Sequence, residues 1–195
     1  FIGHANYLDN EALELLEAHR DSVFVGPAVA WEITFLEHYQ SFGFETNGPE
    51  CEGYAAELAA TQESVKRMLD AGIRVLVGGD YGLNITPHGT YAKELEYFTE
   101  YFSFSTGEAL QAATKHGGEA FMPEGGLGTL EPGSLADLVI VKGNPLEDIK
   151  VLQTADNILA VMKDGQIFSG LLDPCSPHQK SPEEFSGLLE ESPCN

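Results

Sequence analysis

Short apolar runs alternate with longer stretches of helical spacing along most of this chain. Phe1-Ile-Gly-His4 is an apolar segment that runs into a histidine. Asp9 is placed to cap a helix over 9–19, which sets Ala12, Leu15, Leu16 and His19 near one stripe. Val23 to Ala30 is a second apolar run, β-branched enough for a strand. Residues 31–50 mix aromatics with Gly43, Gly48 and Pro49 and read as a long loop, at most with a short helix. Helical spacing returns over 52–71, with Tyr54, Leu58, Val65 and Leu69 on one face and Gly72 to end it. Ile73 to Val77 is then almost continuously apolar, as in a parallel strand covered on both faces, and Asp80 follows.

Beyond Asp80 a polar loop leads to a helix marked by Tyr91, Leu95, Phe98 and Phe102. Thr86-Pro87 suits its beginning. Ser105-Thr-Gly-Glu108 has capping-box spacing and starts a further helix, expected to stop near Gly117-Gly118. Three successive strand–helix units imply a parallel α/β arrangement, too few to close an eight-stranded barrel. From about Gly125 the texture shifts to short strands at 128–133, 136–141 and 158–162, and Asp164-Gly165 supplies a hairpin turn before Ile167-Phe168. The expected organisation is a partial barrel over 1–124, a small β segment over 125–172, and a disordered acidic tail over 173–195 with a short helix at most near Phe185 to Leu189.

Composition narrows the partners. The chain has 195 residues, 43% of them hydrophobic, and a net charge of −21, so nucleic-acid backbones and anionic lipid are excluded as expected partners. No apolar run approaches the ~20 residues of a membrane span, and the first residues lack a signal-like core. Cys51, Cys175 and Cys194 have no Cys-x-x-Cys spacing, which argues against a thiolate zinc site or a disulfide framework and points to the cytoplasm. No loop has the Asp-x-Asp-x-Asp-Gly spacing of a calcium site. Gly125-Gly-Leu-Gly128 follows no strand and precedes no P-loop lysine, so turn chemistry explains it.

Two residues carry the candidate chemistry. His4 and Asp80 each follow an apolar strand, and in a parallel barrel such ends converge at one rim. Taken singly, a lone His is more often a hydrogen-bonded core residue, and an Asp after a strand a turn or cap residue. His88 lies on the loop after Asp80, where it reaches a substrate or packs at a helix start. His19 and His116 fall near expected helix C-termini and read as structural. His38 and His178 receive no role.

The segment Phe1 to Leu16 resembles the sixth-strand region of the amidohydrolase superfamily, in its imidazolonepropionase-like and prolidase-like branch. Gly78-Gly-Asp80 is similar to that family's eighth-strand motif, Leu127 to Leu146 to the segment returning to its small β domain, and Val161-Met-Lys-Asp-Gly165 to the closing hairpin. The resemblance covers about residues 1–170 and implies an α/β fold: the C-terminal part, about strands six to eight, of a TIM-type (β/α)8 barrel, with a small appended β-sandwich element. It further implies a hydrolase of amide-type C–N bonds in a small molecule or dipeptide, using one or two divalent ions, zinc by preference. His4 and Asp80 are then metal ligands, Asp80 the proton acceptor and His88 a substrate contact. The family's first-strand His-x-His and its fourth- and fifth-strand ligands have no counterpart here. The chain is therefore expected to be a fragment, inactive alone, that works with a complementing N-terminal half or as a homo-oligomer; the alternative is a non-catalytic remnant that binds a partner.

Overall fold

A computed structural model describes residues 1–170, so the expectations for the tail, including Cys175, His178 and Cys194, lie outside the described residues. Three parallel strands, β1 (Ile2–Gly3), β2 (Phe24–Gly26) and β3 (Arg74–Val75), pair in the order β1-β2-β3. The strands are short by strict pairing, but His4 N donates to Gly26 O at 2.8 Å and Leu76 N to Val25 O at 2.8 Å, which carries the ladder one residue further on both sides.

Helices α1 (Asn10–Ala18), α2 (Ala30–His38), α3 (Pro49–Asp70) and α4 (Lys93–Tyr101) share one core with this sheet. Asp9 caps α1 by accepting from Ala12 N at 2.8 Å, and Gly72, at φ +73°, follows α3 in the left-handed conformation that glycine adopts cheaply. Between sheet and helices lies a core of Val25, Val29, Ile33, Met68, Val75 and Phe98, each at most 2% exposed. Side chains of this size contribute about 1.5–3 kcal/mol each when taken out of water.

Over residues 31–50 the structure has the loop with a short helix, the helical part reaching further than a plain loop would. Trp31 to His38 belong to α2, and Tyr39–Phe42 continue as a 3₁₀ turn that ends at Gly43. Trp31 and Phe35 stand four apart, one helical turn, and Phe35 packs on Tyr54 of α3 with ring centroids 4.5 Å apart. The glycine and proline signals begin only at Gly43, after the helix is complete. Pro87 stays in the loop, since α4 starts at Lys93.

The last helical region has the expected Ser105–Glu108 capping box at the start of α5 (Thr106–Gln111). It then passes through a π turn at Ala112–His116 into α6 (Gly117–Phe121) instead of stopping at the glycine pair. Gly118 is a packing position: a side chain there would run into the backbone of Leu127 and Gly128. His116 consequently lies inside the helical run, half-buried, not at its end.

Beyond it, β4 (Leu138–Val141), β5 (Ile158–Lys163) and β6 (Gln166–Ser169) form an antiparallel sheet. Asp164 and Gly165, at φ +51° and +77°, make the expected hairpin turn. Residues 128–133 form turns, not a strand, because Gly128 and Gly133 both take positive φ. Among the described residues this is a single layer of three strands and not the two layers of a sandwich.

Candidate active site

His4 and Asp80 are brought together at the C-terminal rim of the parallel sheet. The His4 Nε2 to Asp80 Oδ2 distance is 3.5 Å, and the side chains are 58% and 59% exposed. That separation exceeds the 2.7–3.2 Å of an ordinary N–H···O bond. It matches the ~3.4 Å between two donors that share a tetrahedral zinc at about 2.0–2.1 Å each. The donor chemistry, imidazole and carboxylate, fits the same ion. Among the described residues no third His, Cys, Asp or Glu joins them, so the pair fits as part of a ligand set and is short of the three protein ligands of a catalytic zinc.

Backbone conformation aims both side chains. His4 and Ala5 sit at φ +67° and +63°, a left-handed conformation costing a residue with a Cβ roughly 1–2 kcal/mol. Two such residues in succession, ending a strand, turn the chain sharply off the sheet. On the other side Gly79 is closely hemmed: a Cβ there would stand 2.9 Å from Ala30 Cβ, 2.9 Å from the Tyr81 ring and 3.2 Å from Glu94 Oε1. Gly78, by contrast, has open space. Only Gly79 of the Gly-Gly pair is therefore required by packing.

Behind Asp80 lies Glu94 of α4, 1% exposed, with Oε1 unpaired among the described residues. Burial first, and then the nearby Asp80 charge, push its carboxyl up to about 8, against hydrogen bonds from the Val29 and Gly79 amides. Tyr81 OH is likewise buried and unpaired among the described residues, and burial together with Glu94 raises its pKa. Sequence reasoning missed Glu94, because a glutamate in a helix beginning Lys-Glu-Leu-Glu reads as a surface residue.

A cleft of about 600 Å³ opens beside the Asp80 loop, lined among others by Thr34, Glu37, Tyr81, Asn84, Thr86 and Tyr97. Tyr97 OH donates to Glu37 Oε2 at 3.0 Å, while Thr86 Oγ1 donates to the Asp80 carbonyl and closes the loop on itself. His88 is exposed; its Nδ1 meets Tyr91 OH at 2.6 Å, and its ring packs against Gly82. It is thus held by its own loop.

Residues 2–168 match the amidohydrolase family, and the chain belongs to that family. Ochratoxinase of Aspergillus niger is 30% identical over 170 residues, which cover 87% of this chain and 34% of that protein. A prolidase solved with N-methylphosphonate-L-proline has a TM-score of 0.70 at 29% identity, over 87% of this chain and 40% of the other. A Xaa-Pro dipeptidase with methionine in its active site gives 0.68 at 30%, over 87% and 39%. The chain spans about a third of the length of the curated relatives it matches.

Proposed function

We propose that this chain contributes part of the active site of a hydrolase that cleaves an amide-type C–N bond in a small molecule or dipeptide. The observation that carries this reading is the 3.5 Å approach of His4 Nε2 to Asp80 Oδ2 at one rim, beside a cleft. His4 and Asp80 would hold a divalent ion, zinc by preference, which when bound lowers the pKa of water from about 15.7 to about 7. Asp80 accepts the proton of the attacking water and passes it to the leaving nitrogen. The cleft receives the substrate, and His88, outside the cleft lining but on the same loop as Asn84 and Thr86, adds a contact, its ring fixed through Tyr91. The names of the ochratoxinase, prolidase and dipeptidase relatives support a small substrate of this class.

In this reading the chain acts as the part of a barrel that holds strands six to eight, and its remaining ligands come from a complementing segment. The support is a parallel sheet of only three strands, whose outer members β1 and β3 each have one unpaired side among the described residues. Parallel sheets ordinarily have both faces covered, and in an eight-stranded barrel no edge is left open. The same open edges favour the second reading, a partner-binding remnant without catalysis.

Metal analysis separates the two. The chain co-expressed with the rest of its barrel is expected to retain about one or two divalent ions per complex after dialysis, and to hydrolyse Xaa-Pro dipeptides or other small-molecule amides. A complex that assembles, holds no ion and hydrolyses neither substrate class supports the binding module.

A further inference from the structure

The left-handed turn at His4 and Ala5 contains no glycine to make it easy, so something outside it must hold it. The next residue does so. Asn6 is 8% exposed, and its single amide nitrogen donates to two carboxylates at once, Glu32 Oε1 of α2 at 2.7 Å and Glu57 Oε1 of α3 at 2.8 Å. Its backbone carbonyl accepts from Ser64 Oγ at 2.8 Å, and Ser64 Oγ in turn accepts from Leu8 N at 3.1 Å. Thr61 Oγ1 lies 3.3 Å from Glu32 Oε2 and donates to the Glu57 carbonyl at 2.9 Å. Arg67 donates to the Leu8 carbonyl. Residues 6–8 are thus tied, through side chain and backbone, to both helices flanking the rim.

The pairing is chemically selective. Two neighbouring carboxylates repel each other, and Asn6 offers each a separate N–H from one atom, an arrangement available to a primary amide and not to a hydroxyl or a third carboxylate. We infer that Asn6 is a positioning residue: with Glu32 and Glu57 it forms a clamp that holds His4 and Ala5 in the left-handed conformation and so aims the His4 imidazole at Asp80. The chemical consequence rests on the functional reading of His4 and Asp80 given above. The clamp itself can be tested without metal or substrate.

The test is nuclear magnetic resonance on the full 195-residue chain, following the ¹³Cα and ¹³Cβ shifts and HN–Hα couplings of His4 and Ala5, and the cross-relaxation between the His4 ring and Asp80 Hβ. The wild-type chain is expected to show left-handed signatures and a His4–Asp80 contact. Asn6→Ala and Asn6→Asp are expected to lose both, the contact falling at least threefold, while the Val25 and Ile33 methyl signals remain dispersed. Glu32→Gln keeps an acceptor and should leave both intact, and combining it with Asn6→Asp restores a bond to position 32 but leaves the new carboxylate at position 6 facing that of Glu57, so it should recover only part of the contact. If Asn6→Ala does not fold, the milder Asn6→Ser is decisive. An unchanged turn and contact in a folded Asn6 variant overturns the clamp and leaves the hydrolase proposal standing. Intact clamp behaviour in a complex that neither binds metal nor hydrolyses amides overturns the hydrolase proposal instead.

Discussion

The imidazole of His4 and the carboxylate of Asp80 stand 3.5 Å apart although β2 lies between the strands that carry them. Neither side chain belongs to a paired strand residue. His4 reaches the meeting point through a left-handed turn, and Asp80 through the five residues after β3, so the approach depends on backbone beyond the paired strand residues.

Gly79 is the tightest point of that segment. Gly79→Ala is expected to cost about 1–3 kcal/mol through collision with Ala30 and Tyr81 and to move Asp80 away from His4. Gly78→Ala meets nothing within 4 Å and should leave the unfolding midpoint nearly unchanged. Thermal unfolding of the pair checks this, and equal effects would show that Gly79 is not the constrained position.

Glu32 makes stability depend on pH near neutrality. Burial first, then Glu57, push its carboxyl up from 4.5 to about 7 in the folded chain, so the protonated form is favoured there. Its contribution is full below about 4.5 and is lost as pH rises through about 7, with a slope of at most about 1.4 kcal/mol per pH unit for one proton. Glu32→Gln should flatten that decline between pH 5 and 8 in denaturant titrations. A variant with the wild-type slope would assign the decline elsewhere.

Glu96 has the opposite sign. Burial raises its pKa, but hydrogen bonds from Lys150, Lys93 and Gln153 outweigh this and bring it down to about 2. Lys93 and Lys150 lie 2.8 Å from its two oxygens and Gln153 Nε2 at 2.6 Å, which pins the 3₁₀ turn at Ile149–Gln153 to α4. The stability it gives is present above about 4.5 and lost as pH falls through about 2. Glu96→Gln should cost about 1–3 kcal/mol at pH 7. The difference from wild type should shrink on acidification below pH 4.5, and a difference that stays constant from pH 7 to 2 would contradict the ion-pair account.

Much of this was legible in the sequence because it was locally encoded. Asp9, the Ser105–Glu108 box, Gly72 and Asp164-Gly165 each specify a cap or turn by their own chemistry, and the structure has each in place. Helix α2 was legible only as a possible short helix in a loop, because its partners are distant: Phe35 finds Tyr54 only after folding, and the glycines that follow gave a loop signal to the whole stretch. The glycines at 117 and 118 misled for the converse reason, since close approach of Leu127 and Gly128 uses a glycine without ending the helix. His4 and Asp80 could be named from sequence, whereas Asn6, Glu32 and Glu94 could not, because burial of a polar residue is decided by tertiary packing.

The measurement that bears most directly on the His4–Asp80 pair is a Zn²⁺ titration of the chain assembled with the complementing segment proposed above, followed by the His4 imidazole nitrogen resonances, in wild type and in Asp80→Ala. A shared site predicts that His4 Nε2 shifts on zinc addition and that Asp80→Ala weakens the response at least tenfold while the fold is kept. A His4 ring that does not respond, or one that responds equally without the Asp80 carboxylate, would contradict it.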